Sequence, residues 1–531
     1  MFSSITTAAL CGIDARIVSV ETDVGSGLPT FDMSGYLGTE VKEARDRVRI
    51  AIKNTGVELP PQRIVVNISP ADIRKEGTGF DLPIAIGILV SNGIIEEEKV
   101  KDTLVLGELS LDGTVNPVNG VLSIVCAAKE AGIKLCIIPK DNLKEGSIAQ
   151  GIRLYGAESL KDVQDILINN SLDGVSANNP SDDFNKKYEA ESKEVKSDGV
   201  ISEGVILADS LNEEEDYLDI RGQYSAKRAT LIAAAGMHNI MYVGPPGSGK
   251  TMLAKRIPTI LPDMTDEEKL KVTKIYSVAG KLDAEKGLIT RRPFRSPHHT
   301  ITAAAMLGGG RIPRPGEITL SGSGVLFLDE MTEFRPELME SLRQPLEDKK
   351  ITVVRLNAAY TYPAEFMLAA AINPCKCGYY PDRNRCHCSE YDIRRYIGRI
   401  SNPMWDRFDI CIKVDEVTYE DITGAKDSSA VYSSAYMKEQ VEKVRLIQQE
   451  RFKDSVTDYN SQMNMREIKK YCRLDEESSK IMESMYKKLS MSARGYGKVL
   501  KTARTIADLA GSENILSEHI TEALIYKKNE V

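Results

Sequence analysis

Apolar residues follow three successive patterns along the 531-residue chain. In the first third, ARIVSVETDV and RIVVNIS alternate or are β-branched and predict strands, whereas EVKEARDRVRIAIKNTG has helical spacing and stops at Gly56. In the middle, HNIMYV, GVLFLDE and EFMLAAAINP are short continuous apolar runs, typical of strands buried on both faces of a parallel sheet. From about residue 430, helical periodicity continues throughout.

These patterns predict a multidomain protein with three folded parts. We expect an α+β domain over 1–168, an α/β core over 206–428 in which helices flank a parallel sheet, and an all-α domain over 429–531. Residues 169–205 are rich in Asn, Ser, Asp, Glu and Lys and have little to bury. That composition predicts a solvated acidic and polar linker.

Charge and leader patterns narrow the possible functions. The net charge is −8, which argues against a protein that coats nucleic acid by bulk charge but leaves room for a local basic channel. The N-terminus does not resemble a signal peptide, and no apolar run approaches the roughly 20 residues of a membrane span. We therefore expect a cytoplasmic protein without a membrane partner, in which thiols are reduced by default.

The segment 244–251 matches the phosphate-binding pattern G-x-x-x-x-G-K-[ST] and lies between a predicted strand and a predicted helix. Glycines let backbone N–H groups surround a phosphate, and the helix N-terminus adds its dipole. We expect Lys250 to reach the β- and γ-phosphates and Thr251 to bind Mg²⁺. The predicted nucleotide-binding residues are Gly244, Pro245, Pro246, Gly247, Ser248, Gly249, Lys250 and Thr251.

Two further polar groups end apolar strands. Asp329 and Glu330 follow VLFL, where an open α/β sheet binds its ligands, so Asp329 is a candidate Mg²⁺ ligand and Glu330 a candidate to polarise the attacking water. Asn373 ends MLAAAIN and could position the same water, although one Asn before a Pro is usually a turn. These residues predict a Mg²⁺-dependent ATPase.

The order of these motifs resembles the AAA+ ATPases. The segment DIRGQYSAKRATLIAAAG resembles their adenine-binding segment, which implies that Ile220 and Gly222 lie near the base. PMWDRFDI resembles the segment of the trans-acting arginine finger, at Arg407, and LSMSARGYGKVLKTARTIADL the sensor-2 segment, with a cis-acting arginine at Arg494. Guanidinium groups suit both roles because charge accumulates on the γ-phosphate oxygens.

A closer resemblance covers about residues 3 to 525. RSPHHTITAAAMLGGG, PRPGEITL, LRQPLE, NPCKCGYY and ADIRKEGTGFDLPIAIGIL are similar to the YifB/ComM family of magnesium-chelatase-like ATPases. The resemblance implies an N-terminal Lon-protease-like domain, an AAA+ core and a C-terminal helical lid. It also implies a ring, expected to be a hexamer, that moves along DNA.

The Lon-like domain is expected to be non-proteolytic. A Lon-type site needs a Ser nucleophile and a Lys that activates it. Aligned with that fold, Gly79 takes the Ser position and Leu122 the Lys position, although Thr78 and Ser123 are each one residue away.

The basic insert, residues 286–316, contains no acid and is a local basic segment on an acidic chain. Non-sequence-specific DNA contact by part of it is the favoured interpretation, since Lys and Arg in a pore follow a phosphate backbone. Contacts to neighbouring subunits or to nucleotide are the alternative. Its cations are Lys286, Arg291, Arg292, Arg295, Arg311 and Arg314.

A Cys-x-Cys pair, eight residues and a second Cys-x-Cys pair follow the predicted strand that ends at Asn373. Four thiolates favour a structural Zn²⁺ site, although C-x-C is less diagnostic than C-x₂-C and His387 could replace one thiolate. Two disulfides or a redox site are the competing interpretations. The candidate zinc ligands are Cys375, Cys377, Cys386 and Cys388.

The favoured function is an ATP-driven DNA motor that acts as a helicase or in branch migration, during recombination or the uptake of transforming DNA. A chelatase- or MoxR-like ATPase that remodels a protein or assists metal insertion is the alternative. An ATP-driven protease is the third reading, and the missing Ser–Lys pair argues against it.

Overall fold

The fold is that of a computed structural model, which describes residues 1–169, 215–283, 287–310, 313–355, 358–417, 419 and 432–527. All of the predicted linker except its first residue lies outside these ranges. Every helix in the described ranges is too short or too polar to cross a membrane.

The N-terminal part contains a mixed sheet and five helices. The strands are β1 (Phe2–Cys11), β2 (Asp14–Gly25), β3 (Phe31–Gly35), β4 (Arg63–Ser69), β5 (Thr103–Val105), β6 (Glu108–Leu109), β7 (Val115–Asn116), β8 (Leu135–Pro139) and β9 (Arg153–Ala157). The helices are α1 (Thr39–Asn54), α2 (Asp81–Ser91), α3 (Val121–Glu130), α4 (Leu143–Ser147) and α5 (Leu160–Asn169). Seven strands form the sheet in the order β3-β4-β2-β1-β5-β8-β9. The β1–β2 and β2–β4 pairs are antiparallel and the others parallel.

Helix α1 shows how the sequence pattern becomes structure. Its buried residues, Val41, Ala44, Val48 and Ala51, recur three or four positions apart and form one apolar face. The helix ends just before Gly56, whose φ of 86° suits glycine and turns the chain. The predicted helix and its stop are confirmed.

The central part is a five-stranded parallel sheet surrounded by helices. Its strands are β10 (Ile240–Val243), β11 (Phe294–Arg295), β14 (Val325–Leu328), β17 (Met367–Ile372) and β18 (Ile410–Lys413). They lie in the order β11-β14-β17-β10-β18 and every neighbouring pair is parallel. Val243 pairs with both Ile372 and Lys413, so three strands end at one edge. The mixed α/β character and the parallel sheet are confirmed.

Two small ribbons and ten helices complete the described residues of the central part. The ribbons are β12 (Gly308–Gly309) with β13 (Arg314–Pro315), and β15 (Lys350–Arg355) with β16 (Ala358–Pro363). The helices are α6 (Tyr224–Gly236), α7 (Lys250–Lys255), α8 (Ile257–Ile260), α9 (Asp266–Val278), α10 (Ala303–Leu307), α11 (Glu317–Leu320), α12 (Pro336–Ser341), α13 (Arg343–Asp348), α14 (Glu390–Ile397) and α15 (Asn402–Trp405).

The C-terminal part is helical over the residues that the structure describes. Its helices are α16 (Ser434–Phe452), α17 (Met465–Tyr471), α18 (Glu476–Lys488), α19 (Ala493–Leu509) and α20 (Ser517–Ile525). Helices α16 and α19 pack against α6 in one core with the central sheet. Gln448 of α16 donates a hydrogen bond to the backbone oxygen of Ala235 at 2.8 Å. The helical part is therefore joined directly to the central part.

Candidate ATPase site

The phosphate loop connects β10 to α7, as its sequence predicts. Gly244 approaches a neighbouring strand so closely that a Cβ there would lie 2.2 Å from the backbone oxygen of Val414. Gly249, at φ 88°, lies in the left-handed region just before the helix begins at Lys250. These glycines let the loop fold back over the start of α7, the kind of turn in which backbone N–H groups can bind a phosphate.

Lys250 is held inside the loop. Its Nζ donates to the backbone oxygens of Gly244 at 2.8 Å and Pro245 at 2.7 Å, and to Asn373 Oδ1 at 3.2 Å. Burial lowers the pKa of Lys250 to about 8, although the nearby carboxylates Asp329 and Glu330 oppose the shift. The contact with Asn373 places the predicted water-positioning residue beside the phosphate-binding lysine.

The acidic strand end supplies a pair of oxygens suited to Mg²⁺. Thr251 Oγ1 donates to Asp329 Oδ2 at 2.8 Å. Adjacent ligands of an octahedral Mg²⁺ at 2.0–2.1 Å lie about 2.9 Å apart, so these two oxygens already have the spacing of neighbouring ligands. The residues present fit the ion that the sequence predicts.

Glu330 has an unusual backbone. It lies in the left-handed region at φ 47°, which is uncommon for a residue other than glycine, and its side chain is exposed. Its N–H donates to Asp329 Oδ1 at 2.9 Å and its backbone oxygen accepts from Glu333 at 2.7 Å. Such conformations cluster at functional sites.

The predicted adenine-binding segment contacts the phosphate loop through a residue that sequence reasoning missed. Ile220 is buried and Gly222 has a φ of 62°. The next residue, Gln223, donates through Nε2 to the backbone oxygens of Ser248 at 3.3 Å and Asp415 at 2.6 Å. Gln223 thereby links this segment to the loop, and the only sequence signal was its position beside Gly222.

Arg407 lies at the N-terminal ends of the parallel strands, whereas the phosphate loop lies at their C-terminal ends. Its backbone oxygen accepts from Asn239, the residue that precedes β10, whereas Gly244 follows β10. Five residues at roughly 3.3 Å each separate these positions by about 16 Å. An arginine side chain is much shorter than that, so the Arg407 guanidinium does not reach the phosphate loop of its own subunit, and its role as a trans-acting finger stays a prediction.

Arg494 lies beside Arg407. Both guanidinium groups bind Oε1 of Glu347, Arg407 at 2.6 Å and Arg494 at 2.7 Å. Arg494 therefore lies on the Arg407 side of the sheet in this subunit, and the expected cis-acting role of Arg494 stays a prediction. The sequence could not reveal this placement, since it depends on how α19 packs against the core.

The four clustered cysteines form a compact group of thiols. Their sulfur atoms all lie within 4.8 Å of one another, with Cys375 Sγ 3.3 Å from Cys377 Sγ and 3.7 Å from Cys386 Sγ. Sulfurs around a tetrahedral Zn²⁺ at 2.3 Å lie about 3.8 Å apart. None of the four is in a disulfide, and the exposed His387 is not in the group. The set fits zinc and does not need His387.

The cysteine loop packs directly on the phosphate loop. Gly378, between the two cysteine pairs, has a φ of 86°, and a Cβ there would lie 2.5 Å from Cδ of Pro246. Only glycine permits both this backbone and this approach. The cysteine loop therefore lies against the turn that surrounds the phosphate.

Two arginines of the basic insert are buried in ion pairs. Arg292 donates to both carboxylate oxygens of Glu268 at 3.1 Å. Arg295, which is 1% exposed, donates to Glu317 at 2.6 Å and 2.7 Å. Both guanidinium groups are therefore occupied within the protein, and the expected DNA contact by part of the insert stays a prediction.

The other described cations of the insert, Arg291 and Arg314, are exposed, and Arg314 lies in the β12–β13 ribbon. Lys286 and Arg311 lie outside the described residues. Among the described residues of the insert, the exposed cations that could contact a phosphate backbone are thus Arg291 and Arg314.

Gly79 and Leu122, the positions expected to correspond to the Lon-type Ser and Lys, contain no nucleophile or base. A side chain at Gly79 would meet Leu106 at 2.8 Å, and Leu122 is fully buried. The adjacent hydroxyl of Thr78 donates to Glu108, and that of Ser123 donates to the backbone oxygen of Ile13 at 2.7 Å. The partner in each of these hydrogen bonds is a residue other than lysine.

The same region contacts the ATPase core. Gly120 N donates to the backbone oxygen of Ser277 in α9 at 3.2 Å, and the Ser277 hydroxyl donates to the buried Glu145. Burial raises the pKa of Glu145, whereas bonds from Ser277 and from the N–H of Leu122, at 2.9 Å, oppose the shift. Sequence reasoning gave no sign of this interdomain contact, because each residue is ordinary in its own segment.

A phosphate loop, an acidic strand end and a polar strand end on one parallel sheet define a P-loop ATPase core of the AAA+ type. Family models agree: magnesium chelatase, subunit ChlI, matches residues 216–422, subunit ChlI of Mg-chelatase matches 20–142, and the ChlI C-terminal model matches 432–527.

Comparison with known proteins identifies the family to which the chain belongs. Competence protein ComM of Haemophilus influenzae is 39% identical over 520 residues, covering 98% of this chain and 96% of ComM. The uncharacterized protein YifB of Escherichia coli is 37% identical over 527 residues, covering 99% of this chain and 97% of YifB. The chain belongs to the ComM/YifB family of magnesium-chelatase-like ATPases. Lon protease 2 of Bacillus subtilis is 32% identical over 170 residues, which are 29% of each chain.

Proposed function

We propose that this protein is an ATP-hydrolysing ring motor that moves along DNA, as a helicase or in branch migration. The observation that carries the ring is the distance between the two halves of the site. The phosphate loop lies at one edge of the sheet, and Arg407 with Arg494 lies at the other. A subunit completes its neighbour's site in this arrangement, and head-to-tail contacts of this kind close into rings, here expected to contain six subunits.

Within one subunit, the chain's own groups bind the nucleotide and direct water. Lys250 and the loop N–H groups bind the β- and γ-phosphates. Thr251 and Asp329 hold Mg²⁺, which neutralises phosphate charge when bound. Glu330, exposed beside this pair, polarises the attacking water, and Asn373 orients it from the side of Lys250. The neighbour's Arg407 and Arg494 stabilise the charge that develops on the γ-phosphate.

Mixed rings test the trans arrangement. Glu330→Gln subunits should bind ATP without hydrolysing it, and Arg407→Ala subunits should have an intact site but no finger. Mixing two such inactive variants equally should restore up to about a quarter of the wild-type rate, because about one interface in four pairs an intact site with an intact finger. A mixture that stays inactive over all ratios would contradict trans completion.

The DNA assignment is supported by the exposed Arg291 and Arg314 in an otherwise acidic chain, and by a relative that is named a competence protein. Arg291→Glu with Arg314→Glu should weaken single-strand binding for every sequence. The slope of log affinity against log salt should become shallower by about 1.4, since each phosphate contact contributes about 0.7. Arg153→Glu on the edge strand β9 is the control, and an unchanged slope in the insert variant would contradict DNA contact there.

The family models named for a magnesium-chelatase subunit favour one alternative, a remodelling ATPase that assists metal insertion. DNA stimulation separates the two functions. A DNA motor should hydrolyse ATP faster when DNA is added, whereas a remodeller should respond to its protein partner only.

A further inference from the structure

We propose that Glu347 is a positioning residue that holds Arg407 and Arg494 as one unit directed at the neighbouring subunit's γ-phosphate. This inference rests on the proposed trans arrangement. A single carboxylate oxygen, Oε1, receives one nitrogen from each guanidinium, at 2.6 Å from Arg407 and 2.7 Å from Arg494. Phosphate oxygens accept the same charge-assisted bonds.

The electrostatics of this group require an anion. Two guanidinium groups so close together repel, and Arg407 is 6% exposed with a buried Nε that has no hydrogen-bond partner. Burial first, and then the charge of Arg494, lower the pKa of Arg407, whereas the bond from Arg494 lowers the pKa of Glu347. One carboxylate leaves the pair with a net positive charge, which suits an incoming phosphate.

Hydrogen bonds to the backbone also hold Arg407 and Arg494 together. Lys498 lies one turn after Arg494 on α19, and its Nζ donates to the backbone oxygens of Asp406 and, at 2.8 Å, Phe408. It also lies 3.3 Å from Asp409 Oδ1. These contacts tie α19 to the segment that carries Arg407. Arg494 is 44% exposed, so the pair can receive a phosphate that approaches from solvent while Glu347 holds both guanidinium groups.

The test measures how much ATPase activity is lost and which of two neighbouring subunits causes the loss. Glu347→Ala should lower the ATPase kcat about 10- to 100-fold, the effect of misplacing a catalytic group by about 1 Å, while ATP binding to its own loop is unchanged. Mixed with Glu330→Gln subunits, Glu347→Ala subunits should recover up to about a quarter of the wild-type rate, because the partner supplies an intact finger. In a double variant with Arg407→Ala, the second substitution should add little to the first.

Controls separate this role from folding. Glu347→Gln keeps the acceptor oxygen without the charge and should retain an intermediate kcat, and Asp348→Asn, the next residue of α13, should behave as wild type. Wild-type kcat in Glu347→Ala, or additive losses in the double variant, would overturn the role of Glu347 even if Arg407→Ala mixtures recover. If Arg407→Ala mixtures recover nothing, the trans arrangement fails and the role of Glu347 fails with it.

Discussion

The buried Arg295–Glu317 pair gives a sharp prediction about the basic insert. Arg295→Ala removes a 1%-exposed guanidinium and leaves the Glu317 carboxylate, 14% exposed, without its bidentate partner. Breaking a buried pair in this way costs about 3–5 kcal/mol. Lys281 remains 3.7 Å from Glu317, so the lower end, about 3 kcal/mol, is expected.

Differential scanning calorimetry measures this loss. A domain of 150–250 residues shifts by about 2–4 °C per kcal/mol, so the transition of the ATPase core should fall by about 6–12 °C. Arg314→Ala, exposed in the same insert, should change stability by no more than about 0.5 kcal/mol but should weaken DNA binding. Replacing both partners, Arg295→Met with Glu317→Leu, should recover most of the lost stability, because buried ion pairs tolerate apolar substitution.

The reverse pattern would overturn the burial of Arg295. If Arg295→Ala keeps the wild-type transition and selectively loses DNA affinity, Arg295 faces DNA and the burial assigned to it is wrong.

Three further substitutions or treatments test separate features of the site. Glu330→Gln should bind fluorescent ATP normally but lower kcat about 10²- to 10⁴-fold, the range for a group that assists proton transfer; near-normal turnover would reassign the acid. Elemental analysis should find about one zinc per chain, lost in Cys377→Ser with Cys388→Ser but retained in Cys126→Ser; a metal-free, stable and active wild type would refute the zinc site. Gly378→Ala should raise the Kd for ATP severalfold by pushing Pro246, whereas Gly132→Ala, also at positive φ but with open space around its Cβ, should cost stability without changing ATP binding; equal effects would exclude the loop contact.

Local patterns predicted the parts of the site that depend on neighbouring residues. The phosphate loop, Asp329 and Asn373 each follow an apolar strand directly, and parallel strands bring their ends to one edge of the sheet. The structure places Lys250 3.2 Å from Asn373 and Thr251 2.8 Å from Asp329, as those positions require.

Contacts between distant segments were beyond sequence reasoning. Nothing in the sequence around Glu347 marks it as functional, because its contact with Arg494, 147 residues later in the chain, depends on how α13 packs. Arg292 and Arg295 look like Arg291 in the sequence, and only the packing of α9 and α11 decides that two of them are buried. The candidate zinc site could be predicted only in part. The cysteine spacing predicts the four ligands but not the contact of Gly378 with Pro246.

The most direct test of the central claim is ATP-dependent strand displacement from a fluorescent branched DNA. Wild-type protein should displace the labelled strand only with ATP and Mg²⁺, and DNA should raise its ATPase rate, whereas Glu330→Gln protein should bind the DNA without moving it. An active ATPase that neither responds to DNA nor displaces the strand would contradict the account of a DNA motor.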